Sequence, residues 1–120
     1  MAADPALRDA AYGMAKRALN GWVRRAAPSP EWAGHGIPLN AVAPGVVDTP
    51  AAAWILADAE VRATIEAAAP QPLGLPGRPE WVGHLIAWLA GPENRFVTGQ
   101  VVFADGGAES ALLGDRQWRT

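Results

Sequence analysis

The chain has 120 residues, a formal net charge of −2, two His and no cysteine. The balanced charge, with no acidic or basic block, points away from nucleic acid and membrane surfaces. The missing thiols exclude disulfides, thiolate metal sites and thiol catalysis, and two distant His argue against any protein metal site.

Asp4-Pro5 opens the first predicted helix, Asp as cap and Pro at the first helical position. Leu7, Ala11, Met14, Ala15, Ala18, Leu19, Trp22 and Val23 recur at helical spacing, to about Ala27, where Pro28-Ser29-Pro30 stops the helix. Arg24 and Arg25 suit the negative end of its dipole. Tyr12, the sole tyrosine, and Lys16, the sole lysine, lie four apart on this helix and so one turn apart on one face. An ammonium beside a phenol stabilises phenolate and makes the hydroxyl a usable acid or base nearer neutral pH. Taken alone, the spacing is weak and reads first as a surface Tyr beside a solvated Lys.

Residues Glu31 to Gly36 read as loop. Ile37–Ala43 is short, apolar and bounded by turn residues, as a buried strand is, with Pro38 at its beginning and Pro44-Gly45 ending it. Val46 to Pro50 is the next loop, in which Asp48 or Thr49 can cap a helix with Pro50 at its first position. A helical region from about Ala51 to Ala69 follows, open to interruption at Asp58-Ala59-Glu60. Pro70, Pro72 and Pro76 make the next stretch irregular. A helix begins at Pro79-Glu80, with Val82, Leu85, Ile86 and Leu89 on one face, and ends at Gly91-Pro92. Val101–Ala104 is a second buried strand, closed by Asp105-Gly106-Gly107, and the tail from Ala108 carries no strong pattern.

Two buried strands joined through helices are the pattern of a parallel βαβ unit. Parallel sheets are buried on both faces, so two strands want others beside them. An apolar edge beside Ile37–Ala43, and with it self-association, is expected. No apolar run approaches a membrane span and the N-terminus lacks a signal pattern, so a soluble, cytoplasmic chain is expected.

Several segments together resemble the C-terminal half of a short-chain dehydrogenase/reductase. Tyr12-Gly13-Met14-Ala15-Lys16 is similar to the family's Y-x-x-x-K. Leu39-Asn40-Ala41-Val42-Ala43-Pro44-Gly45 is similar to the strand and turn that follow, and Val46-Val47-Asp48-Thr49 to the next loop. Gly77-Arg78-Pro79-Glu80-Trp81-Val82 resembles the start of the late helix, and Thr98 to Gly107 the last strand and its turn. Within the family, the Trp32 to Gly36 loop and the tail look most like the bacterial 3α-hydroxysteroid dehydrogenase/carbonyl reductase group.

The resemblance implies an α/β fold: the C-terminal part of a Rossmann-type doubly wound parallel sheet, with the N-terminal half missing. It implies a single partial domain over residues 1–120, a substrate lid at 51–76 and a C-terminal tail at 108–120. The activity implied is NAD(P)-dependent interconversion of an alcohol and a ketone, by a homo-oligomer. Tyr12 would be the general acid/base. Lys16 would support it and bind the nicotinamide ribose. Pro44 and Gly45 would flank the nicotinamide, the Val47 backbone would contact its carboxamide, and Thr49 would bind carboxamide or pyrophosphate. Trp54, Ile55 and Leu56 in the lid suit an apolar, steroid-like substrate. The family's glycine-rich phosphate turn and catalytic serine have no counterpart in the sequence. The chain is therefore expected to be a truncated form, inactive alone; a non-catalytic module or remnant keeping the family's dimer surfaces is the alternative.

Overall fold

A computed structural model describes residues 4–119, the Gln117 side chain excepted. They fall into two compact units: residues up to Ala41 with Leu89–Val101, and Val42–Trp88 with the residues from Val102 onward. The elements in chain order are α1 (Pro5–Ala26), β1 (Ala41–Pro44), α2 (Ala53–Leu56), α3 (Ala59–Ala68), α4 (Pro79–Ala90), β2 (Val101–Ala104) and α5 (Ala108–Leu113). Short 3-10 turns occupy Ala33–His35, Pro50–Ala52 and Arg116–Trp118.

In the first unit, α1 starts where the Asp4 carboxylate accepts the Ala6 N–H at 3.0 Å, ahead of Pro5. Such a cap contributes about 1 kcal/mol. The helix closes at Ala27, whose N–H reaches the Val23 carbonyl, and Pro28 prevents a further turn. Val23 and Ala27 are buried, and Trp22 meets Trp32 edge to face at 6.1 Å, which packs the loop onto the helix end. The rest of the apolar repeat does not bury: Leu7 is 67% exposed and Met14 71%. Arg24 does more than face the helix dipole, because its guanidinium donates to the Gly99 carbonyl at 3.0 Å.

The first strand departs from the expected Ile37–Ala43 and runs Ala41–Pro44, so Pro44 lies inside it. The cause is side chains that intercept the ladder. Leu39 N–H donates to Thr98 Oγ1 at 2.9 Å. Asn40 donates to the Val97 carbonyl and accepts the Gln100 N–H, at 2.8 and 3.0 Å. Gly99, buried and at φ 70°, sends its N–H to Leu39 O just ahead of the second strand, in a conformation that a side chain would strain. Beyond it the register is regular. Ala41 N–H bonds Gln100 O and Gly45 N–H bonds Ala104 O, an equal advance along both strands that only a parallel pair gives. The sheet of the described residues is β1 beside β2.

Asn94 is the polar hub of the first unit. It is 4% exposed, donates to the carbonyls of Leu89 and Val97, and accepts the N–H groups of Phe96 and Val97.

In the second unit the helical region breaks where Asp58 allows. Asp58 caps α3 by accepting the N–H groups of Glu60 and Val61, at 2.9 and 3.1 Å. The tail holds more structure than its sequence suggests. The buried Asp105 carboxylate accepts the N–H groups of Gly107 and Glu109, which launches α5. Among the described residues no helix is long and apolar enough to cross a membrane.

Candidate functional site

Tyr12 and Lys16 lie on α1, in the first unit. Tyr12, Lys16, Leu19 and Val23 follow the i, i+4, i+7, i+11 stripe of one helix face. Val23, at the far end, is the residue that buries. The structure brings the pair together as the spacing requires: the Lys16 ammonium lies 5.3 Å from the centre of the Tyr12 ring, over its face. Tyr12 is 67% exposed, so its hydroxyl is open to a reactant. The arrangement sets a cation over the face of an exposed phenol.

Pro44, Gly45, Val47 and Thr49 belong to the second unit. Val47 forms a parallel bridge with Gly77, in which Gly77 N–H donates to Val46 O and Asp48 N–H donates to Gly77 O, each at 2.9 Å. In a trans peptide the N–H points opposite to the C=O. Val46 and Asp48 therefore face Gly77, and the N–H and C=O of Val47 face the other way. A donor and an acceptor side by side on one edge match the acceptor and donor of a primary carboxamide. The residues present thus fit the nicotinamide group that the resemblance implies.

Thr49 precedes the Pro50–Ala52 turn, yet its side chain makes no cap bond to that turn. Its hydroxyl turns back toward Val47 O at 3.4 Å, a weak contact on the presented edge. Pro44, exposed, and Gly45 line an apolar hollow of about 410 Å³ with Ala69, Phe103 and Leu112. A side chain on Gly45 would run into the Gln71 amide and come 2.8 Å from the Asp105 Cα, so glycine is required there by packing.

Sequence reasoning missed Gln71. It sits between Pro70 and Pro72 in a stretch without periodicity, where nothing local announces a partner 25 residues earlier. Its amide bonds Val46 on both main-chain groups.

A family profile described as enoyl-(acyl carrier protein) reductase matches residues 3–109. Cis-4-hydroxycyclohexanecarboxylate dehydrogenase of Sinomonas cyclohexanicum is 46% identical over 96 residues, covering 80% of this chain and 36% of that protein. The 3beta-hydroxysteroid dehydrogenase 1 of Eggerthella lenta is 46% identical over 77 residues, 64% of this chain and 29% of that one. Among solved structures, a Thermus thermophilus protein matches with a TM-score of 0.74 at 38% identity, over 83% of this chain and 40% of its own. A Beutenbergia cavernae structure, described as an NAD(P)-dependent gluconate 5-dehydrogenase with bound NADP, matches with a TM-score of 0.73 at 40% identity, over 84% and 39%. The chain spans about a third of the length of these curated relatives.

Proposed function

As the chain belongs to the short-chain dehydrogenase/reductase family and has the fold of the C-terminal part of a Rossmann-type doubly wound parallel sheet, we infer that it is the acid/base-bearing part of an NAD(P)-dependent oxidoreductase interconverting an alcohol and a ketone. The observation that carries this reading is the Tyr12–Lys16 pair, with the ammonium over the phenol ring and the phenol in reach of solvent.

When bound, a nicotinamide nucleotide, NAD or NADP, supplies or accepts the hydride. Tyr12 gives its hydroxyl proton to the ketone oxygen during reduction and takes the alcohol proton during oxidation. Lys16 holds the resulting phenolate by charge and donates to the nicotinamide ribose. The Val47 edge would hold the carboxamide, Thr49 Oγ1 would be a further donor toward carboxamide or pyrophosphate, and Pro44 and Gly45 would flank the ring. The 51–76 stretch serves as the substrate lid. Its exposed Trp54 and half-buried Ile55 and Leu56 favour an apolar, steroid-like substrate. The names of the hydroxysteroid and hydroxycyclohexanecarboxylate dehydrogenases support that class. The setting proposed is the cytoplasm, where these nucleotides are supplied, and the whole protein is a homo-oligomer. The chain by itself is inactive, because its sequence holds no glycine-rich turn for the pyrophosphate.

The test is Tyr12→Phe in the whole protein, followed by the reduced-nicotinamide absorbance during turnover of a hydrophobic alcohol. A loss of about 10²-fold or more in kcat is expected; turnover equal to the unsubstituted protein overturns the assignment. A second reading, a non-catalytic interaction module, is favoured by the exposed Leu7 and Met14 of α1. It requires that Tyr12→Phe leave the protein's function intact while Met14→Glu shifts its mass in light scattering.

A further inference from the structure

We propose that Gln71 is a positioning residue: its side-chain amide replaces a neighbouring strand and holds Val46 by both main-chain groups, fixing the Gly45–Val46 peptide and, with Gly77, the orientation in which Val47 is presented to the nicotinamide carboxamide. The inference rests on the reading of Val47 given above and names a residue that the family resemblance did not supply.

The geometry is that of a one-residue ladder. Gln71 Oε1 accepts the Val46 N–H at 2.5 Å, and Nε2 donates to the Val46 carbonyl at 3.4 Å. A primary amide carries an acceptor and a donor side by side, as an extended peptide does. The second Nε2 hydrogen goes to the Gly74 carbonyl at 3.1 Å, so the amide is itself held by the turn that follows it. That turn is closed by Gly74 N–H on Gln71 O and by Leu73 N–H on Gly106 O. The amide is thus anchored before it reaches Val46.

Position within the segment gives these bonds their consequence. Val46 and Val47 expose their main-chain groups on opposite sides. Gln71 and Gly77 together occupy the Val46 side, through Val46 N–H, Val46 O and Asp48 N–H. Fixing that side leaves one orientation for the Val47 peptide. Gly77 bonds Val46 O and Asp48 N–H but not the Val46 N–H, so the Gly45–Val46 end is held by Gln71. Gly45 completes the fit, since the space a side chain would take there is filled by the Gln71 amide.

Gln71 also closes the 51–76 stretch, whose α3 is tied to the same turn by Arg62 donating to the Leu75 carbonyl. The clamp therefore joins the base of the proposed lid to the carboxamide-reading edge. A change in the lid is transmitted to Val47 through one amide.

The experiment is amide hydrogen exchange by NMR on this chain, with reduced nicotinamide mononucleotide as the probe. In Gln71→Leu, an apolar change that removes both bonds, protection of the Val46 N–H is expected to fall about tenfold while amides in α3 and α4 keep theirs. Gln71→Glu keeps the acceptor and loses the donor when ionised. The Val46 N–H, which needs only the acceptor, should therefore keep its protection in Gln71→Glu. In the unsubstituted chain the nucleotide should shift the Val47 amide, and in Gln71→Leu that shift should shrink several-fold. Unchanged Val46 protection in Gln71→Leu, or protection lost in Gln71→Glu as in Gln71→Leu, overturns the clamp. A Val47 amide silent to the nucleotide in the unsubstituted chain, with Val46 protection still lost in Gln71→Leu, overturns the carboxamide reading and upholds the clamp.

Discussion

The Gln71 amide bonds both main-chain groups of Val46, Oε1 to its N–H and Nε2 to its carbonyl. A side chain thereby does what a strand would do, on a segment that has a backbone partner at Gly77 alone on that side. The cost of an unpaired peptide group is avoided without lengthening the sheet.

Gly45 is the residue against which this contact closes. Gly45→Ala is expected to destabilise the chain by about 1–3 kcal/mol, because the new methyl meets the Gln71 amide and the Asp105 backbone. Urea unfolding measures it. Adding Gln71→Ala should recover part of the loss, since one of the two obstacles then goes and neighbouring changes do not add.

Asn94 should be the most sensitive polar residue of the first unit. Asn94→Ala removes the side-chain partner of the Leu89 carbonyl, in a buried place, and of the Val97 carbonyl and N–H, in a part-buried one. The expected loss is about 2–4 kcal/mol in thermal or urea unfolding. Asn94→Asp keeps the acceptor side and loses the donors, so it should also destabilise the chain and leave the Val97 N–H protected.

At the start of α3, Asp58→Ala should cost about 1 kcal/mol. The loss is local, so the amides of Glu60 and Val61 should exchange faster while those of α4 do not change. Asp58→Asn caps nearly as well and should lose only the favourable charge at the helix start.

Glu31 titrates below the ordinary carboxylate value. Its own backbone N–H is the main cause and a bond with the Ser29 side chain the second. Both favour the ionised form, so the folded value lies below the unfolded one. The resulting stability is present above the unfolded value and is lost as pH falls through the folded one. A carbon-detected NMR titration should place the Glu31 midpoint below that of a model peptide, and Ser29→Ala should move it upward.

Much of the fold was legible because its signals are local. Asp4-Pro5 and Pro28 bound α1, Asp58 marks the break before α3, and Pro79 and Gly91 bracket α4. Val101–Ala104 is the strand that its apolar run predicts. The Tyr12–Lys16 contact follows from helical geometry alone. Each of these depends on residues a few positions apart, where side-chain chemistry and backbone period act directly.

The sequence by itself determined the helix ends, the second strand and the face that carries the phenol and the ammonium. Tertiary structure decided what depends on distant residues. The first strand begins at Ala41 because Thr98 and the Asn40 side chain intercept the ladder before it. Leu7 and Met14 stay exposed although their spacing matches a buried face, since periodicity states which residues can be covered and not whether something covers them. Gln71 matters because folding brings it to Val46, 25 residues back along the chain. A hydrogen bond needs its partner within about 3 Å, and sequence spacing fixes that distance only within a turn or two.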